Sequence, residues 1–140
     1  LHIAITSINT VFSSKKETHD LATHQVFIID TIGILTKIYN YADIAYVGGG
    51  MGNTGLHNSL EAAVFGVPII IGKNHKEFSE AQDMIDHGGM FSISNQNQFD
   101  TVLNALMHDD KKRIALGIKN KDFIKKNKGA VIQILDYLRI

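Results

Sequence analysis

The sequence predicts an α/β fold in which helices cover both faces of a parallel β-sheet. Short apolar runs, each bounded by Gly, Asp or Asn, alternate over residues 26–94 with stretches that carry the helical spacing of apolar side chains. Short strands separated by single helices are typical of right-handed βαβ units, which build parallel sheets. After Ser94 the pattern is purely helical. We therefore expect one Rossmann-like domain over residues 1–140, ending in helices.

The composition is that of an ordinary soluble globular protein. Of the 140 residues, 44% are hydrophobic and 20% are charged, so a sizeable core can be buried. The formal net charge is zero, and no overall field draws the chain to nucleic acid. The chain has no cysteine, which excludes disulfides and thiol chemistry. No apolar run approaches the roughly 18 residues of a membrane span.

Five segments are predicted to be strands. The runs at 26–30, 43–49 and 67–72 are short and β-branched or aromatic, which indicates fully buried strands. The run at 90–94 follows two glycines and alternates in polarity. The first 25 residues carry a weaker pattern, which fits a helix end followed by a short edge strand at about 10–13.

Six helices are predicted from the spacing of apolar residues. They cover residues 32–42, 58–66, 77–89, 97–107, 111–127 and 130–140. Gly66 and Gly88 lie at the ends of the second and third helices and favour termination there. The apolar stripe of the fifth helix consists of Ile114, Ile118 and Phe123, with Gly117 as an interruption.

The most distinctive segment lies at residues 46–72, between two of the strands. The first strand ends in the glycines 48–50, where the backbone can turn sharply and a ligand can approach closely. Asn58 then suits the N-cap of the next helix, and Glu61 follows three residues later, as in a relative of the capping box. Because a helix N-terminus carries unpaired N–H groups and positive charge, this turn is a candidate phosphate or nucleotide site.

A turn without a ligand is the alternative, in which Asn58 and Glu61 only cap their helix. The spacing matches neither a P-loop nor a dinucleotide fingerprint. A second loop repeats the geometry, with a strand ending at Asp30, a helix starting near Thr31 and Gly33 in its first turn. If the two strands are adjacent, both loops lie at the same edge of the sheet.

Other polar residues have less specific interpretations. His57 and His75 lie in loops near strand ends, but a metal site needs a third ligand, so we expect His57 to position its loop by a hydrogen bond. Glu77 and Glu80 are predicted to lie on a solvated helix face rather than to form an acid–base pair. The basic run 111–128 holds eight Lys or Arg with a single Asp between them and is predicted to be a solvated face.

Three motifs occur together in this sequence: Gly-Gly-Gly at 48–50, Gly-x-His-Asn-x-Leu-Glu at 55–61 and Gly-x-Pro at 66–68. With the stretches "DTIGILTKIYNYADIAYVGGG" and "NKGAVIQIL", they make residues 26–138 resemble the C-terminal half of the 3-deoxy-D-manno-octulosonic acid (Kdo) transferases. The resemblance is to the forms found in Bacteroides-like bacteria in particular. The combination is far more specific than a glycine loop alone.

The resemblance implies a GT-B glycosyltransferase, which has two Rossmann-like domains with the active site between them. Such an enzyme transfers Kdo from CMP-Kdo to a lipid A precursor at the cytoplasmic face of the inner membrane. The chain would then be the donor-binding C-terminal domain, itself soluble. The partners implied are CMP-Kdo, a lipid A precursor and the membrane surface, which the basic run 111–128 could touch.

The resemblance also implies which residues contact the donor. They are Ile32, Gly33, Ile34, Gly49, Gly50, Asn58, Ser59, Leu60 and Glu61. The helix beginning at Asn58 would face the CMP phosphate, and Glu61 would accept hydrogen bonds from donor hydroxyls. The chain would hold no catalytic residue, since the base is a Glu of the N-terminal domain, and no metal or cofactor is implied.

The sequence departs from the family pattern at one of these positions and at one position outside them. Ile34 replaces a common Glu, so the contact there could be made by backbone alone, and Lys73 replaces a usual Pro. A Pro-Arg contact of an earlier strand is missing. We therefore expect a fragment that starts inside the C-terminal domain, is inactive alone and self-associates through its N-terminal segment or an exposed sheet edge. Another GT-B nucleotide-sugar enzyme, such as a UDP-sugar transferase or epimerase, and a non-catalytic nucleotide-binding module are the alternatives.

Overall fold

The computed structural model of the protein describes residues 8–18 and 20–138. The chain divides into two compact units, Leu1–Ile38 and Tyr39–Ile140. The expectation of a single domain over residues 1–140 stays a prediction. The helix end expected at the start of the chain lies outside the described residues.

The first unit is built on a pair of short parallel strands. Strand β1 (Thr10–Phe12) pairs with β2 (Val26–Ile28), and 3₁₀ segments at Ser13–Thr18 and Leu21–Thr23 lie between them. The edge strand predicted at 10–13 is thereby confirmed. The prediction that β2 is fully buried is wrong, because the strand alternates and the Phe27 side chain between two half-buried neighbours is 42% exposed.

The Asp30 side chain links the segments that follow β1 and β2. Asp30 Oδ1 accepts hydrogen bonds from the Ser13 hydroxyl at 2.5 Å and from the Ser14 backbone N–H at 2.9 Å. Its Oδ2 accepts a third bond from the Ser14 hydroxyl at 2.6 Å. These bonds, with the Ser13 side chain as the largest cause, lower the pKa of the Asp30 carboxyl from 3.8 to about 2.

The Asp30 network predicts an acid-sensitive first unit. Because the folded-state pKa lies below the unfolded one, the stabilisation is present above about pH 4 and is lost as the pH falls towards 2. An NMR titration of the Asp30 carboxyl should give a midpoint near 2, and Ser13→Ala should move that midpoint towards 3.8. The control is Thr10→Val, since the Thr10 hydroxyl bonds to the Ile8 carbonyl instead. A midpoint near 3.8 in the unchanged protein would contradict the network.

The second unit contains a three-stranded parallel sheet in the order β3 (Ala45–Val47), β4 (Ile69–Gly72) and β5 (Met90–Ile93). The central strand β4 is buried along its whole length, as its apolar run predicts. Strand β3 was also predicted to be fully buried, and that is wrong, because Tyr46 between its two buried neighbours is 48% exposed. The burial of strand β5 does not follow the alternating polarity of its sequence, since Met90 and Ile93 are both buried, Phe91 is half-buried and Ser92 is exposed.

Helices lie on both faces of this sheet, which confirms the α/β fold with parallel strands. One apolar cluster joins Ala45, Ile69 and Met90 to side chains of α2 and α3, and the opposite cluster joins Ile70 and Ile93 to α4. The helices of the described residues are α1 (Leu35–Tyr39), α2 (Leu60–Ala63), α3 (Ser79–His87), α4 (Gln96–Met107), α5 (Asp110–Lys126) and α6 (Ala130–Leu138). None of them combines the length and apolar character needed to cross a bilayer.

Helix α5 packs against α2, α3 and α4 through a face that differs from the predicted stripe. Ile114 and Ile118 are 61% and 52% exposed, whereas Gly117 and Asn120 are buried. Gly117 faces the Gly66 carbonyl so closely that a Cβ would overlap it. The glycine therefore permits close packing of the helix, and the prediction of Ile114 and Ile118 as core residues of α5 is wrong.

Candidate functional site

The glycine loop that follows β3 is a compact turn. Gly49 has a φ of +92°, and a Cβ there would overlap the Gly55 carbonyl, so only glycine fits. The backbone N–H of His57 donates to the Gly48 carbonyl at 3.1 Å and closes the turn. The hydrogen bond expected from His57 is thus made by its backbone, while its ring packs against Gly48.

A second loop, between β4 and α3, is joined to the glycine loop. Gly72 at the end of β4 lies against the backbone of Gly50, with no room for a Cβ between them. The Asn74 backbone N–H donates to the Gly50 carbonyl at 2.8 Å, and its side-chain Nδ2 donates to the Gly52 carbonyl at 2.9 Å. The two loops that follow neighbouring strands are therefore held at a fixed separation.

Between these loops lies a cleft of about 480 Å³. It lies beside the carboxyl ends of β3 and β4, where open α/β sheets bind ligands. Its lining combines loop backbone, amides, two lysines, one carboxylate and an aromatic ring. The lining residues are Gly52, Asn53, Gly55, Lys73, Asn74, Lys76, Glu77 and Phe78.

The Asn58 and Glu61 pair forms the start of α2. Asn58 Oδ1 accepts from the Leu60 backbone N–H at 3.1 Å, and Asn58 Nδ2 donates to Glu61 Oε1 at 3.0 Å. Asn58 thus acts as a cap, although Glu61 bonds to its side chain rather than to its backbone as in a capping box. Ser59 is buried, already has helical backbone angles and makes no side-chain cap bond.

Helix α2 is much shorter than the helix predicted at 58–66. It covers Leu60–Ala63 only, and the chain turns at Gly66, whose φ is +70°. One turn of helix has few aligned peptide dipoles, so its contribution to anion binding is small. A ligand contact at this position would therefore depend on the side chains of Asn58 and Glu61.

The Glu61 carboxylate also affects the pKa of a neighbouring tyrosine, Tyr39. Burial raises the pKa of the Tyr39 hydroxyl, and the Glu61 carboxylate adds to that rise by opposing a second negative charge. Tyr39 lies 6.2 Å from Phe65 between ring centroids, a contact within the second unit. The Glu61 carboxylate therefore lies within electrostatic reach of the Tyr39 hydroxyl.

The remaining predicted donor contacts lie in the first unit. Gly33 has a φ of +89°, which a right-handed helix excludes, so the prediction of Gly33 in the first helical turn is wrong. It lies in a turn before α1, next to a fully exposed Ile32. The Ile34 carbonyl accepts from the backbone N–H groups of Lys37 and Ile38. That this loop meets the glycine loop stays a prediction.

His75 is a buried residue of the β4–α3 loop. Its Nδ1 lies 3.2 Å from the Gly72 carbonyl oxygen and 3.3 Å from the Ser92 hydroxyl. The ring therefore ties the loop to β5. Among residues 8–18 and 20–138, no group of three or more His, Asp or Glu side chains is arranged to hold a metal ion.

Sequence reasoning missed most of the cleft lining. Asn53, Asn74, Lys76 and Phe78 were not predicted as site residues, and Lys73 was noted only as a departure from a pattern. The sequence offered one signal for these residues, which is their position in the chain. Residues 73–78 directly follow the predicted strand β4, just as the glycine loop follows β3.

Comparison with known proteins gives a consistent set of relatives. The chain is 31% identical over 129 residues to a 3-deoxy-D-manno-octulosonic acid transferase of Haemophilus influenzae, covering 89% of this chain and 30% of that protein. It is 31% identical over 116 residues to the enzyme of the same name from Aquifex aeolicus, covering 81% of this chain and 31% of that protein. The chain thus spans about 30% of the length of these relatives. No protein-family model matches it.

A solved structure shares the fold. The C-terminal CMP-Kdo binding domain of WaaA from Acinetobacter baumannii superposes with a TM-score of 0.73 at 23% sequence identity. The match covers 84% of this chain and 62% of that one. The two proteins therefore share the arrangement of parallel strands with flanking helices that the sequence predicts.

Proposed function

The chain belongs to the Kdo transferase family, and we propose that it is the part of such an enzyme that binds the donor, CMP-Kdo. The observation that carries the proposal is the cleft between the glycine loop and the β4–α3 loop, beside the carboxyl ends of β3 and β4. Its volume of about 480 Å³ lies in the range of small-molecule sites.

The reaction proposed for the whole enzyme is an inverting transfer of Kdo from CMP-Kdo to a lipid A precursor, with CMP as the leaving group. This chain supplies donor binding, while the general base and the acceptor surface lie in another domain. The donor contacts proposed from the family resemblance are residues 32–34, Gly49, Gly50 and 58–61, none of which is among the residues that line the cleft. The 140-residue chain alone is expected to have no transferase activity.

The whole enzyme is proposed to work at the cytoplasmic face of the inner membrane. Helix α5 supports a contact with the membrane surface, because its exposed Ile114 and Ile118 lie on the same face of the helix as the exposed Lys111. Apolar and cationic side chains on one helix face are what an anionic lipid surface binds.

A nucleotide-binding experiment separates this function from its alternatives. Calorimetric titration of the chain with CMP and with UMP is expected to give at least tenfold tighter binding of CMP. Tighter binding of UMP would favour a UDP-sugar enzyme instead. Binding of neither nucleotide would overturn the assignment of the chain as a donor-binding domain.

A further inference from the structure

The cleft carries an uncompensated positive charge. Lys73 and Lys76 are exposed and line it from the β4–α3 loop, together with one carboxylate, Glu77. The ion pairs of the described residues involve Arg113 and Lys125 instead. Two ammonium groups against one carboxylate leave the cleft with a net charge of about +1, which suits a singly charged anion.

The backbone that presents these lysines is held on both sides. Asn74, between them, bonds to the Gly50 and Gly52 carbonyls, and the buried His75 bonds to Gly72 or Ser92. The Phe78 backbone N–H donates to the His75 carbonyl at 2.9 Å, and its ring lies against Gly55. A loop fixed in this way loses little conformational entropy when it binds a ligand.

We propose that this cleft binds the sugar-acid part of the donor, with Lys73 and Lys76 holding its carboxylate and Glu77 accepting from its hydroxyls. The assignment rests on the proposed function and goes beyond the contacts that the family resemblance implies. A phosphate would offer the same oxyanion chemistry to the lysines. Glu77 favours the sugar acid, since sugar hydroxyls are good donors to a carboxylate whereas the singly charged phosphodiester of the donor offers no hydrogen-bond donor.

The test compares free Kdo with its methyl ester, which removes only the carboxylate charge. Binding to the 140-residue chain is followed by NMR chemical-shift titration, with CMP titrated in parallel. The unchanged chain is expected to bind Kdo about tenfold more tightly than the ester. The double variant Lys73→Gln with Lys76→Gln should lose that preference and keep its affinity for CMP. The matched control is Lys111→Gln with Lys112→Gln, because these exposed lysines of α5 lie outside the cleft lining.

The outcomes separate the two proposals. If the double variant weakens CMP rather than Kdo, the lysines bind the nucleotide phosphate and the sugar-acid assignment is overturned. If CMP binds but Kdo and its ester bind equally, or if the variant keeps the preference for Kdo, donor binding stands and the assignment of the cleft is overturned. If neither CMP nor Kdo binds the unchanged chain, both proposals are overturned.

Discussion

Replacing Asn120 with alanine is expected to lower the free energy of unfolding by about 2–4 kcal/mol. Asn120 lies on α5 and is fully buried. Its Nδ2 donates to the Val67 carbonyl at 2.7 Å and to the Gly89 carbonyl at 2.9 Å, just before β4 and β5 begin. Alanine would leave the Val67 carbonyl without its side-chain donor and the Gly89 carbonyl with only the Ile69 backbone N–H at 3.2 Å, and it would open a cavity beside Gly89.

Denaturant unfolding of matched variants checks this expectation. The control is Asn127→Ala, because Asn127 Nδ2 also donates to a backbone carbonyl, that of Phe123 at 2.9 Å, but in an exposed position. Its loss should cost no more than about 1 kcal/mol. Equal losses in the two variants would contradict a structural role for Asn120.

An aspartate at the same position adds a test by pH. The Asn120 Oδ1 has no hydrogen-bond partner among the described residues, and its Nδ2 faces two carbonyl oxygens. In the Asn120→Asp variant, a carboxylate oxygen would therefore face these two carbonyl oxygens, and neither side could donate a hydrogen bond. Burial would raise the folded-state pKa of the new carboxyl group. The variant should lose stability as the pH rises above about 4, the ordinary aspartate pKa, and regain part of it on acidification.

Asn120 also illustrates what the sequence could not predict. The buried face of α5 includes Gly117 and Asn120, while Ile114 and Ile118 face outward. A reading based on apolar spacing chooses the isoleucines, because hydrophobicity is the only signal it counts. The actual face is set by the close approach to Gly66 and by the two carbonyls that Asn120 satisfies, and both are contacts distant in sequence.

Features that depend on local chemistry were predictable. The helix ended by Gly88 is one example, since the Gly88 φ of +83° and its bonds to the Met84 and Ile85 carbonyls form a left-handed C-cap. The buried strand β4 is another, because an unbroken apolar run needs cover on both faces. Exposure of β2 and β3 was not predictable in this way, because it depends on which neighbours cover each strand.

Some features of the candidate site could also be predicted from local sequence, and others could not. The cap formed by Asn58 and the turn at Gly49 follow from residue types at short spacing. The cleft depends on Asn74 reaching the Gly50 and Gly52 carbonyls, a pairing between separate loops that no local pattern encodes. Lys76 and Phe78 could therefore be found only once the loops were joined in the fold.

In the full-length enzyme, Glu61→Ala is expected to lower kcat/KM for CMP-Kdo about ten- to a hundredfold and to leave the fold intact. A charge-assisted hydrogen bond to the donor contributes roughly 1.5–3 kcal/mol, which corresponds to that range. The stability effect should be small, since among the described residues Glu61 bonds only to the Asn58 side chain, whereas Asn58 itself caps the Leu60 backbone N–H. Asn58→Ala is the matched variant and should cost about 0.5–2 kcal/mol of stability as a lost cap.

Three measurements on the same Glu61→Ala protein distinguish binding from capping: kcat/KM for CMP-Kdo, the affinity for CMP and the thermal midpoint. Loss of kcat/KM with an unchanged CMP affinity would assign Glu61 to the sugar rather than to the nucleotide. Removal of the carboxylate should lower the pKa of Tyr39 only in part, since burial is the larger cause of its rise, and an NMR titration that still finds this pKa above its ordinary value would verify that the local fold persists. If kcat/KM and CMP affinity both stay within twofold while the thermal midpoint falls, Glu61 serves the cap alone and its role in donor binding is refuted.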